Sequence, residues 1–146
     1  MKRYLLAILA VLGITAAQAE DIVYVKATGS NTEPYDSEET AATTVNAAVA
    51  YANAHGIRKV KLVGTLQQAK SAHVTLADVE VYADSWSSAT WKGLGDGSNP
   101  KVTLGANAFV HDIRFEAWRA KGTVTLTDHT SCDSNCWMKG LYYSTS

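Results

Sequence analysis

The chain has 146 residues, enough for one domain, with 13 basic against 14 acidic side chains and a net charge of −1. That balance provides no electrostatic footprint for nucleic acid or for an anionic membrane surface. It is compatible with a neutral or modestly charged polymer such as a polysaccharide.

Met1 to Ala19 places Lys2 and Arg3 before an apolar run, Tyr4 to Ile14, and ends on Ala17-Gln18-Ala19. These are the three regions of a secretory signal peptide, with cleavage expected after Ala19. The apolar core is shorter than the ~20 residues a bilayer requires, so no membrane span is expected. Removal leaves Glu20 to Ser146, with 11 basic and 14 acidic groups, in a secreted or periplasmic setting.

Ile22-Val23-Tyr24-Val25 is a short β-prone run, followed by a polar loop to Thr40 that contains Pro34. Val45, Ala48, Val49 and Ala52 then fall at i, i+3, i+4 and i+7, one apolar stripe of a helix. Thr43 or Thr44 is placed to cap its start, and Gly56 stands where a left-handed residue ends it. Ile57 to Val63 reads as a strand broken by Gly64. Val74-Thr75-Leu76 and Val79-Glu80-Val81 are two strand-like pieces. Trp86 to Pro100, rich in Ser and Gly, reads as an excursion, and Gly95 to Asn99 has the composition of tight turns. Strands are expected at Val102 to Leu104 and Phe109 to Phe115, separated by a turn at Gly105 to Asn107.

One phrase recurs. Val102-Thr103-Leu104 returns as Val124-Thr125-Leu126, and Val60-Lys61-Leu62 and Val79-Glu80-Val81 share its apolar–polar–apolar shape. The steps between the leading valines are 19, 23 and 22 residues. Recurrence in the twenties marks a solenoid, whose units bury by stacking a face none can bury alone. The expected fold is mainly β: a short right-handed parallel β-helix of about four coils, ~20 Å long at the spacing of neighbouring strands, behind an N-terminal capping helix. The division is a signal peptide at 1–19, an N-terminal strand, loop and helix at 20–58, and coils with a C-terminal cap at 59–146. Trp137 to Tyr143, tied by a Cys132–Cys136 bridge, is the candidate for that cap.

The order from Ile22-Val-Tyr-Val-Lys-Ala-Thr-Gly-Ser-Asn, through a polar loop and Thr44-Val-Asn-Ala-Ala-Val, to Lys59-Val-Lys-Leu-Val-Gly-Thr-Leu resembles the entry segment of secreted right-handed parallel β-helix proteins of the pectate-lyase-like superfamily. The resemblance implies a first strand and a capping helix ahead of the coils. It implies no single activity, because that superfamily holds polysaccharide lyases and hydrolases as well as adhesins without catalysis. Its acidic, basic and calcium-binding residues have no matching motif here, and none is carried over.

Three constellations remain. His111-Asp112-Ile113-Arg114-Phe115-Glu116 places Asp112, Arg114 and Glu116 on the outward side of one strand, where they can bind a sugar acid or simply pair and keep the strand soluble. As a catalytic pair Asp112 and Glu116 are unsuited, since residues four apart on a strand lie about 13 Å apart and glycosidases need roughly 5–9.5 Å. Trp86, Trp91 and Trp118, with Tyr82, offer faces for sugar stacking or plugs for the coil. Cys132 and Cys136, in an oxidising compartment, form a disulfide in preference to a metal site with His129, because a second ligand pair is missing. No metal or cofactor is implied. The expected function is a non-catalytic secreted module that binds glycan or a surface protein along its side. The alternatives are a polysaccharide-active lyase or hydrolase, or a shortened relative of one, and a unit that stacks end to end on its own copies through open strand edges.

Overall fold

The computed structural model describes residues 20–69, 72–86, 88–93, 101–116, 123–126, 137–139 and 142–143, with the backbone alone at 101, 116, 123–126, 137–139 and 142–143. The signal peptide, the turn at Gly95 to Asn99, Trp118, Cys132 and Cys136 lie outside the described residues.

The fold is mainly β with one helix. Its strands are β1 (Ile22–Lys26), β2 (Lys59–Gln68), β3 (His73–Leu76), β4 (Glu80–Tyr82), β5 (Ala89–Gly93), β6 (Lys101–Leu104), β7 (Phe109–His111), β8 (Ile113–Glu116), β9 (Thr123–Leu126), β10 (Trp137–Lys139) and β11 (Tyr142–Tyr143). The helix α1 (Val45–His55) lies between β1 and β2 in the chain. Among the described residues every ladder between these strands is parallel. From β3 onward each strand pairs with the third strand after it: β3 with β6 and β6 with β9, β4 with β7 and β7 with β10, β5 with β8 and β8 with β11.

β2 holds the arrangement together because its two halves serve different ladders. Lys59 to Lys61 pair with β4, and Gly64 to Gln68 pair with β5. The expected break at Gly64 is therefore a bend within one continuous strand. Gly64 sits at φ +71°, where an L side chain is strained, and a Cβ there would meet nothing within 4 Å. Gly64→Ala is accordingly expected to cost only the left-handed strain, about 1–2 kcal/mol, read as a lower urea midpoint at unchanged m-value.

Alternation in each strand sends one set of side chains to a common core. Val23, Val60, Val81 and Val110 are in register across β1, β2, β4 and β7 and are fully buried. Val74 and Val102, with Leu76 and Leu104, do the same from β3 and β6, and Leu66, Trp91 and Phe115 from β2, β5 and β8. All belong to one buried cluster.

This register corrects the repeat read from the sequence. Val102 is in register with Val124 on one side and with Val74 on the other, Val60 is in register with Val81 and Val81 with Val110, and Val79 lies just before β4. The apolar–polar–apolar phrase occurs on more than one face, so steps between its copies mix faces. In-register neighbours are instead 21 residues apart from Val60 to Val81, 29 from Val81 to Val110, and 25 from Leu66 to Trp91.

The N-terminal side forms as its residues dictate. Thr44 caps α1 by accepting from the Ala47 amide, and Gly56 ends it at φ 68°. The stripe Val45, Ala48, Val49, Ala52 is buried, and α1 lies against β1, β2 and β3. The outer edge of β1 is occupied as well. The Tyr24 amide donates to the Tyr35 carbonyl, the Ala42 amide to the Tyr24 carbonyl, and the Lys26 amide to the Ala42 carbonyl. Segment 35–42 thus covers the edge on which another chain would otherwise pair.

Candidate functional site

The outward side of the β1–β2–β4–β7 ladder carries two registered rows. One runs Ile22, Lys59, Glu80, Phe109; the other runs Tyr24, Lys61, Tyr82, His111. All eight side chains are half-buried. β10 extends the rows in register with Trp137 and Lys139. Neighbouring strands lie about 4.8 Å apart, so the four-residue rows cover about 14 Å across the strands.

The second row is aromatic and cationic by turns. The Lys61 ammonium lies 5.6 Å from the Tyr24 ring centroid, and the Tyr82 and His111 rings stack at 5.5 Å with 14° between their planes. These stacked faces point along the row at each other. Ring edges, the phenol tips and the ammonium are what the row offers outward.

Its charges are matched. Lys61 Nζ is 2.6 Å from Asp84 Oδ1, and Lys59 pairs with Glu20. The hydrogen bond to Asp84 raises the Lys61 pKa, and the one to Glu20 raises that of Lys59. Burial pushes the Tyr82 phenol up, keeping it neutral and able to donate. His111 Nε2 is 2.8 Å from Glu80 Oε1, and its Nδ1 is 2.7 Å from Asp112 Oδ2. Burial alone would lower the imidazole pKa; the bonds to Asp112 and Glu80 outweigh it and raise the value.

At its β1 end the row opens on a cavity of about 670 Å³ lined by Tyr24, Glu20, Asp36, Tyr51 and His55, among others. Tyr51 stacks on His55 at 4.0 Å and meets Tyr35 edge-on at 5.2 Å, which fixes the aromatic wall. Among the described residues no group of three or more His, Cys, Asp and Glu is placed to hold a metal ion.

The residues expected from the sequence fare unequally. Trp91 is 1 % exposed: it stacks on Phe115 at 5.5 Å and its Nε1 donates to Gln68 Oε1 at 3.2 Å. It belongs to a core strand rather than an excursion loop, and it has no face for a sugar. Trp86 is 48 % exposed, in a turn between β4 and β5, and is in neither row. The trio Asp112, Arg114, Glu116 does not share one strand. Asp112, at φ 59°, divides the expected Phe109–Phe115 strand into β7 and β8 and turns its carboxylate to His111. Arg114 stands in register with Thr90 and Glu116 with Lys92, on the other ladder. Tyr82, expected beside the tryptophans, is central to the row; Tyr24 and Lys61 join it, and Glu80 meets His111, through strand register rather than through any sequence motif. The alternation in Ile22–Lys26 and Lys59–Val63 marks Tyr24 and Lys61 as outward; nothing local marks their strands as neighbours.

No family model matches the chain, and neither a curated protein nor a solved structure does.

Proposed function

We propose that the chain winds as a short right-handed parallel β-helix and serves as a non-catalytic module that binds a neutral glycan along the Tyr24–Lys61–Tyr82–His111 row. The pairing of each strand with the third one after it supports the winding, and right-handed crossovers are the rule between parallel strands. The same winding accords with kinship to the pectate-lyase-like superfamily suggested by the entry segment.

The observation that carries the binding reading is the row itself. Three parallel strands, β1, β2 and β4, present at one spacing the phenol and ammonium tips of Tyr24, Lys61 and Tyr82, which hydrogen-bond hydroxyl groups, and the His111 ring continues the surface on β7. A linear polymer lying across the strands meets such tips repeatedly. Charge decides the class of polymer: Lys59, Lys61 and His111 are already answered by Glu20, Asp84, Glu80 and Asp112, so an acidic glycan would gain little and meet carboxylates. The cavity at the β1 end gives the chain a place to stop.

The test is a glycan array on the protein with Tyr82→Ala and Trp86→Ala beside it. Neutral oligosaccharides are expected to bind. Tyr82→Ala is expected to weaken them about tenfold, ~1.4 kcal/mol, and Trp86→Ala to leave them unchanged. Binding confined to acidic glycans, or loss in Trp86→Ala alone, would move the site elsewhere. Release of new reducing ends from a bound glycan would make the protein an enzyme.

A further inference from the structure

We propose that Glu80, His111 and Asp112 form a proton-operated clasp between neighbouring strands, closed while the imidazole carries both protons and slackened when it loses one. Geometry makes the case. Each ring nitrogen faces a carboxylate oxygen, Glu80 at 2.8 Å and Asp112 at 2.7 Å. A neutral imidazole has one donor and one acceptor nitrogen, so it satisfies one of these carboxylates and turns a lone pair on the other. Only the imidazolium donates to both.

The two carboxylates come from different places in the chain. Glu80 is on β4, 31 residues before His111, and Asp112 is the bend that separates β7 from β8. A doubly bonded ring therefore joins β4 to the corner where the chain passes from one ladder to the next. The other groups around it do not replace either carboxylate. Tyr82 on β4 stacks on the ring, Lys59 and Lys61 on β2 stand one strand further and pair with Glu20 and Asp84, Lys139 occupies the register position beside His111 on β10, and Arg114 follows on β8.

The sign follows from linkage. The ring's pKa is higher in the folded chain than its ordinary ~6.5. The clasp's contribution to stability is thus complete below ~6.5 and is lost as pH rises through the folded value. It does not depend on whether the face carries a ligand.

Ring-nitrogen NMR titration of the protein, with Glu80→Gln and Asp112→Asn, reads the clasp directly, and thermal unfolding of wild type against His111→Gln from pH 5.5 to 9 reads its effect. His111 is expected to titrate above ~6.5 and to shift downward in each carboxylate variant. Wild type is expected to lose ~3 °C more than His111→Gln across that range. A His111 midpoint at or below the ordinary value, a midpoint unmoved in both carboxylate variants, or parallel melting profiles would overturn the clasp. Should His111→Gln not fold, the ring titrations alone decide.

Discussion

Trp91→Ala is expected to cost about 3–5 kcal/mol, a large part of the 5–15 kcal/mol that holds a domain of this size together. The side chain is enclosed on β5, in register between Leu66 and Phe115. Its loss opens a cavity in the middle of a ladder and removes the ring stacked on Phe115. It also strips Gln68, a buried polar side chain, of its indole donor, leaving that amide, among the described residues, its bond to the Ala72 carbonyl. Urea unfolding followed by circular dichroism checks it. Trp86→Ala, in an exposed turn, is expected to stay within about 0.5 kcal/mol of wild type. Equal effects at the two positions would place Trp91 outside the core.

Val81→Asp is expected to prevent folding altogether. Val81 is fully buried between Val60 and Val110 on the strand that joins two neighbouring pairings. A carboxylate there has no cation within the apolar row. It must be ionised at a cost of several kcal/mol or take up a proton and still lack partners. The adjacent Tyr82→Asp points to the outside and is expected to leave the far-ultraviolet spectrum of the folded chain intact. A one-residue change of position thus separates collapse from tolerance, as a strand with one buried face demands. If both variants fold, the inward valine row is wrong.

Much of the local structure was legible because it is decided locally. The helix from Val45 with its Thr44 cap and Gly56 terminator follows from side-chain period and capping chemistry within a dozen residues. The strands at 22, 59, 74, 102 and 109 follow from alternation. What escaped depends on distant neighbours. β5 alternates Ala89, Trp91 and Gly93 inward, yet lies inside a Ser- and Gly-rich stretch that masks the pattern. The stacking order depends on how many residues each corner consumes, and 21 separate Val60 from Val81 where 29 separate Val81 from Val110. The Glu80–His111 pairing is a consequence of that register, so no local motif announces it. Asp112 looked like one of three outward charges on a single strand; its left-handed backbone makes it the corner instead.

The winding can be tested without any ligand. In isotope-labelled protein, backbone nuclear Overhauser contacts between amide and α protons are expected to link Val102 to the surroundings of Val74 on one side and of Val124 on the other, in the sequential pattern of parallel strands. Close α-proton pairs between β6 and either neighbour, the mark of antiparallel strands, would contradict it.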